Sequence, residues 1–139
     1  MVDPRIPLPA LEGESAFFWK ACRAGRLEIL RCGGCGWYVH PPRPRCPKCL
    51  AADVAPAAVS GKATLVSYTV NHQRWLPDLE VPYAIVLVEF ADHPGVRVVG
   101  RLRGCEVDDV AVGLPVDVGF EPGPGGFAIP SFVSRTSTP

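Results

Sequence analysis

Two short phrases decide how this chain is read: Cys32-Gly33-Gly34-Cys35 and Cys46-Pro47-Lys48-Cys49. Each leaves two residues between its sulfurs. That gap lets both thiols of a knuckle point at one ion, and two knuckles supply the four thiolates of a tetrahedral site. Gly33, Gly34 and Gly36 permit the positive φ angles of a tight knuckle, and Pro47 stiffens the second. The ten residues Gly36 to Arg45 separate the pairs, enough for a short strand and its return. The pattern predicts a zinc ribbon with Cys32, Cys35, Cys46 and Cys49 as ligands.

Iron bound by four thiolates has the same geometry. Rubredoxin-like iron sites usually place glycine after the second knuckle, whereas Leu50 stands there in this chain. Zinc is therefore favoured, one ion per chain. Four protein ligands leave no open position for water or substrate, so the site is read as structural. Cys22 and Cys105 lie outside the pattern and read as small hydrophobes rather than nucleophiles.

The rest of the chain is organised around the ribbon. Residues 1–25 are expected to form a proline-rich arm and a helix of about three turns over Glu14–Gly25, stopped by Gly25. Residues 26–54 form the ribbon, with a strand at Leu27–Arg31 and another at Trp37–His40 ended by Pro41-Pro42. Residues 55–139 form the β-domain. Lys62–Val70, Tyr83–Phe90, Val96–Leu102 and Val116–Phe120 are β-branched or aromatic runs bounded by Gly, Pro or Asp. A weaker fifth strand is expected over Phe127–Val133, and a single helical turn over Glu106–Val110. Five strands with a short helical segment between the third and fourth is the order of an OB-fold barrel. The fold class is thus mainly β: N-terminal helix, rubredoxin-like ribbon, five-stranded barrel. No internal repeat is apparent. The segment Asn71–Pro82 is long for a hairpin connection, and such loops often carry function.

Composition excludes some classes. Apolar residues make up 47% of the 139, so a core forms readily. The apolar run Tyr83–Val88 is far short of the ~20 residues of a membrane span. The N-terminus lacks a basic-then-apolar leader pattern, which together with thiol usage points to the cytoplasm. The net charge is zero, yet residues 1–60 hold eight basic and five acidic side chains, and residues 61–139 hold six and nine. The cations Lys20, Arg23, Arg26, Arg31, Arg43, Arg45 and Lys48 gather around the ribbon, a field that attracts phosphates. The acidic barrel, with few aromatics on strands 96–102 and 116–120, counts against nucleic acid. No Ser-His-Asp set or paired carboxylates are recognisable, and His40, His72 and His93 are scattered.

Further motifs follow in a fixed order. They are Phe18-Trp19, Gly25-Arg26-Leu27, Arg31-Cys32-Gly33-Gly34-Cys35-Gly36, Pro41-Pro42-Arg43 and Cys46-Pro47-Lys48-Cys49. Gly61, Ser67-Tyr68-Thr69-Val70, Pro82-Tyr83 and Gly113-Leu114-Pro115-Val116 complete the series. Over residues 14–133 the chain resembles the acyl-CoA-associated zinc-ribbon/OB-fold family, long catalogued as a domain of unknown function. The resemblance implies a non-catalytic accessory subunit or domain of an acyl-CoA enzyme complex. Its expected partner is a thiolase-superfamily enzyme, either a thiolase or a lipid-transfer-protein-like aldolase of steroid side-chain breakdown. Some members are fused to or complexed with an enoyl-CoA hydratase. It also implies that the chain borders the CoA passage.

On this reading Phe17, Phe18, Trp19, Trp37 and Trp75 are candidate partner anchors, the residue types interfaces favour. Arg43, Arg45 and Lys48 are candidate contacts to CoA phosphates. Two rivals stand beside it: a nucleic-acid-binding zinc-ribbon/OB module, and an enzyme in its own right.

Overall fold

The computed structural model describes residues 8–77, 79–93 and 95–135. The ribbon is a three-stranded antiparallel sheet. Its central strand β1 (Glu28–Cys32) pairs with β2 (Tyr38–Val39) on one side and with β3 (Val54–Ala58) on the other. The sequence reading missed β3, whose Val54-Ala55-Pro56-Ala57-Ala58 carries a proline. Pro56 is tolerated because β3 is an edge strand. Its register runs from Cys32↔Val54 to Glu28↔Ala58, so it lies across the ribbon–barrel boundary expected at 54/55. The pairing returns the chain from the second knuckle directly to the strand that carries the first.

The remaining strands close a barrel in the order β4-β5-β6-β8-β7. They are β4 (Lys62–Asn71), β5 (Tyr83–Phe90), β6 (Arg97–Arg103), β7 (Pro115–Pro122) and β8 (Ala128–Ser134). A 3-10 turn, Val107–Asp109, separates β6 from β7 where the helical turn was expected. On β5 alternation decides the faces: Ala84, Val86, Val88 and Phe90 are buried, while Tyr83, Ile85, Leu87 and Glu89 are half-buried. A bulge between Leu65 and Ser67 bends β4, which pairs with β7 through Lys62–Thr64 and with β5 along its length. The ring is completed by a parallel pairing of β6 with β8, Arg101↔Ser131 to Arg103↔Val133. This is an OB-fold.

Gly100 makes that last pairing possible. A Cβ there would stand 2.6 Å from a ring carbon of Phe132, which is fully buried and packs 6.5 Å from Phe90 between ring centroids. The core therefore has no room for one more methyl group.

The helix α1 (Ala16–Arg23), entered through a 3-10 turn over Gly13–Ser15, is shorter than expected. Eight residues are marginal as a helix in water, so packing must hold it. Phe18, Ala21 and Cys22 are buried, and Phe18 and Cys22 share one core with Leu27 and Ile29 of the ribbon and with the barrel residues. Arg23 pins the helix from outside. Its Nε donates to the Gly126 carbonyl at 3.0 Å and its Nη2 to the Gly125 carbonyl at 3.1 Å, both in the β7–β8 connection. Helix, ribbon and barrel are joined by one hydrophobic interior.

His40 ends the ribbon's return strand against the ring of Phe18, 5.8 Å between centroids. Its Nδ1 is buried without a partner among the described residues. Burial lowers its pKa from the ordinary histidine value, which favours the neutral ring in the folded protein. An unfolded chain takes up that proton below its ordinary pKa, so stability falls as the pH drops through that region.

Two outcomes are expected. Gly100→Ala should lower unfolding stability by about 1–3 kcal/mol in denaturant titrations of the metal-loaded protein. Between about pH 7.5 and 5.5 the denaturation midpoint should fall more steeply for the native sequence than for His40→Gln, and equal slopes would show that His40 is not buried as a neutral ring.

Candidate metal centre

The four predicted ligands converge. The Sγ atoms of Cys32, Cys35, Cys46 and Cys49 all lie within 4.8 Å of one another. Cys32 and Cys49 stand 3.6 Å apart, as do Cys35 and Cys46. Sulfurs held at about 2.3 Å from a central zinc in a tetrahedron are about 3.8 Å apart, so the set is close to the required size. Cys32 and Cys46 are buried, whereas Cys35 and Cys49 face solvent. The donor set and its spacing fit one zinc ion, which would fix the two knuckles relative to each other.

The backbone prepares this charge. The N–H groups of Cys35 and Gly34 hold the Cys32 thiol below its ordinary range, against the effect of burial. Burial pushes the Cys46 thiol up, but the N–H groups of Cys49 and Lys48 prevail and bring it to about 7. Cys49 receives the N–H of Ala51, yet the thiols of Cys32, Cys35 and Cys46 outweigh it and push it up to about 12. Left to themselves, four adjacent thiols retain protons because like charges repel. A divalent cation removes that obstacle, and its capture releases protons.

The knuckles themselves are a short internal repeat that the sequence reading overlooked: Arg31-Cys32-Gly33-Gly34-Cys35-Gly36 and Arg45-Cys46-Pro47-Lys48-Cys49-Leu50. In the first, Gly36 N donates to the Cys32 carbonyl at 2.9 Å, and Arg31 Nε donates to the Gly36 carbonyl at 3.2 Å. In the second, Leu50 N donates to the Cys46 carbonyl at 2.9 Å, and Arg45 Nη1 donates to the Leu50 carbonyl at 3.1 Å. Each arginine thus closes its own knuckle from the position before the first cysteine. The last residue adopts a positive φ in both, +79° at Gly36 and +65° at Leu50. Glycine accepts that conformation freely, but for leucine it costs about 1–2 kcal/mol.

The cations expected as a phosphate-attracting field are largely engaged at home. Beyond Arg23, Arg31 and Arg45, Arg26 pairs with Glu28 at 3.4 Å and Lys48 Nζ lies 4.8 Å over the Trp37 ring. Arg31 also lies over Tyr38, 5.2 Å from its centroid. Lys20 and Arg43 are exposed without partners among the described residues.

The candidate anchors are dispersed. Phe18 is in the core, edge-on to Trp19 at 5.0 Å, and Phe17 and Trp19 are half-buried against that core. Trp37 is 47% exposed and Trp75 is 70% exposed. Trp75 belongs to the β4–β5 connection and is held by its Nε1 donating to Asn71 Oδ1 at 3.1 Å. The metal centre and the Trp75 loop are therefore separate features. Cys22 is fully buried and its thiol is pushed up to about 12 by that burial. Burial and the carboxylates of Asp109 and Glu106 raise Cys105, so neither thiol is activated. Sequence reading did not single out Leu50, Val99 and Val112 as exposed apolar residues, although alternation with buried Val98 on β6 could have marked Val99.

A four-thiolate ribbon joined through one core to an OB-fold barrel defines a two-module zinc protein. Residues 19–55 match the ChsH2 rubredoxin-like zinc ribbon domain, and residues 57–121 match the ChsH2 C-terminal OB-fold domain. The chain belongs to this zinc-ribbon/OB-fold family, known as DUF35. It is similar to the "Probable enoyl-CoA hydratase alpha subunit" of Thermomonospora curvata, 37% identical over 110 residues that make up 79% of this chain and 34% of the relative. It is also similar to the "3-oxo-4,17-pregnadiene-20-carboxyl-CoA hydratase alpha subunit" of Mycobacterium tuberculosis, 36% identical over 116 residues, 83% of this chain and 36% of that one. The chain spans about a third of the length of these two relatives. A "DUF35 domain-containing scaffold protein" of Methanocaldococcus jannaschii is 31% identical over 93 residues, 66% of this chain and 64% of its own. Among solved structures, a chain of the "Ltp2-ChsH2(DUF35) aldolase" superposes with a TM-score of 0.84 at 32% identity, covering 93% of this chain and all of that one. A DUF35 protein of Sulfolobus solfataricus shares the fold, with a TM-score of 0.62 at 17% identity.

Replacing Cys32 or Cys49 by serine should abolish stoichiometric zinc and unfold the ribbon, because in so small a module metal binding is folding free energy. Elemental analysis and circular dichroism before and after chelation read both effects. Retention of one zinc per chain by either variant would refute the four-ligand assignment.

Proposed function

We propose that this chain is a non-catalytic scaffold component of an acyl-CoA enzyme complex, docking a thiolase-superfamily enzyme and helping to form its CoA passage. The observation that carries this reading is the match over the full length of a ChsH2(DUF35) chain that was solved within an aldolase. The closed ligand set agrees with it. Four thiolates around one ion leave no coordination site for a substrate, so the metal supplies shape rather than chemistry.

Docking falls to the surfaces that the fold leaves open. Trp37 beside the metal and Trp75 in its long loop present the aromatic area that interfaces favour. Phe17 and Trp19 offer their outer edges, and Phe18 acts from beneath by fixing the helix that carries them. Arg43, exposed and unengaged among the described residues, is the first candidate for a CoA phosphate. Arg45 and Lys48 serve there only through donors not already directed at Leu50 and Trp37. An enoyl-CoA hydratase is the natural second component, given the names of the two relatives of which this chain matches a third. The setting proposed is the cytoplasm, where thiols stay reduced for zinc; no helix of the described residues is long and apolar enough to cross a membrane. A nucleic-acid role is disfavoured, since five of the seven cations around the ribbon are already engaged within the chain.

Co-expression tests the proposal. A thiolase or lipid-transfer-protein-like aldolase encoded beside this chain should co-elute with it, and acyl-CoA turnover should require that enzyme. Free elution of both, or CoA release by the lone zinc-loaded chain, would refute the scaffold reading.

A further inference from the structure

The internal repeat supplies its own control at Leu50. Both knuckles share the arginine before the first cysteine, the same backbone hydrogen bond and the same arginine-capped carbonyl. They differ at the position of positive φ, where the first has Gly36 and the second Leu50. Leu50 is the one non-glycine residue with positive φ among the described residues. Local folding gains nothing from its side chain, which is 69% exposed. A strained, outward-facing leucine at a position where the same chain uses glycine needs a cause outside the knuckle.

Its surroundings supply one. Leu50 directly follows Cys49, and Trp37 lies two residues past Cys35, so both leave ligands of the same cluster. Lys48, between them, lays its ammonium group over the Trp37 ring. Trp37 and Leu50 are thus exposed apolar side chains carried at the knuckle tip, the part of the molecule that the metal would hold. Its neighbours along the chain, Arg43, Arg45 and Lys48, are all exposed and cationic, without an acidic residue between His40 and Ala52.

We infer that this tip is a docking anchor: Leu50 and Trp37 enter an apolar pocket of the partner enzyme whose rim carries carboxylates. This rests on the scaffold function proposed above and names the contact that executes it. The tip combines exposed apolar side chains with cations close in the chain, the residue types of an interface hot spot and its polar rim. Arg43, exposed and unengaged among the described residues, selects an acidic counterpart at that rim. The metal limits the ordering required when the two surfaces meet, which favours affinity.

The test uses the full zinc-loaded chain, the thiolase-superfamily enzyme encoded beside it, and the variants Leu50→Gly and Arg43→Glu. Leu50→Gly should keep one zinc and melt a few degrees higher, roughly 2–6 °C, because the strain is gone. The same variant should bind the enzyme at least about tenfold more weakly. Arg43→Glu should also weaken binding, with melting unchanged. Native-like affinity of Leu50→Gly, or its melting below the native chain, would overturn the inference, as would native-like affinity of Arg43→Glu. If the native chain itself binds no such enzyme, the scaffold reading fails first; if the native chain binds and Leu50→Gly binds equally, only the anchor is lost.

Discussion

The knuckles of this molecule depend on the repulsion among four thiolates and on the single cation that would relieve it. The knuckle end of the ribbon has little else to hold it. Its strand β2 is two residues long, and β3 is an edge built mostly of alanine. Such elements bury too little apolar surface to order themselves. The knuckle backbones point N–H groups at Cys32 and Cys46, and so lower part of the cost of ionising the set before any ion arrives. Once four sulfurs share one centre, the two knuckles become a rigid corner, and β3 carries that rigidity back into the sheet.

The barrel solves a different problem, the exposed edge of a small sheet. Closure through the parallel β6–β8 pairing leaves no strand edge in that ring. Ribbon and barrel are nevertheless not two beads on a string. Phe18 and Cys22 of the helix, Ile29 of the ribbon and Phe132 of the barrel belong to one interior. A surface residue near the metal is therefore positioned with respect to the barrel loops by packing rather than by a linker. That suits a scaffold, whose value lies in holding separate contacts at fixed spacing.

Much of this was legible in the residues. Four cysteines at knuckle spacing announce a metal with little ambiguity, because few other arrangements need them. The barrel strands could be placed because Gly, Pro and Asp interrupt runs of β-branched and aromatic residues, and all five begin and end within two residues of expectation. The weaker Phe127–Val133 also emerged, as β8 (Ala128–Ser134). β3 was illegible because its identity comes from its partner: Val54-Ala55-Pro56-Ala57-Ala58 has low strand propensity and is extended only because β1 lies beside it. The basic field around the ribbon was visible as composition, but where its charges are directed was not. A guanidinium aimed at a carbonyl five residues on looks in sequence like one aimed at solvent. The repeated Arg-Cys pair was the available clue.

The contact between Arg23 and the carbonyls of Gly125 and Gly126 ties together segments about a hundred residues apart in sequence. During synthesis the cysteines leave the ribosome long before β8 does. The knuckles can thus form while part of their hydrophobic floor is still missing, and the N-terminal helix, which already meets Leu27 and Ile29 of the ribbon, must wait for the β7–β8 connection before Arg23 is held. Loss of β8 would therefore be felt at the N-terminal helix, loosened on its barrel side and offering part of its aromatic surface to quality-control machinery.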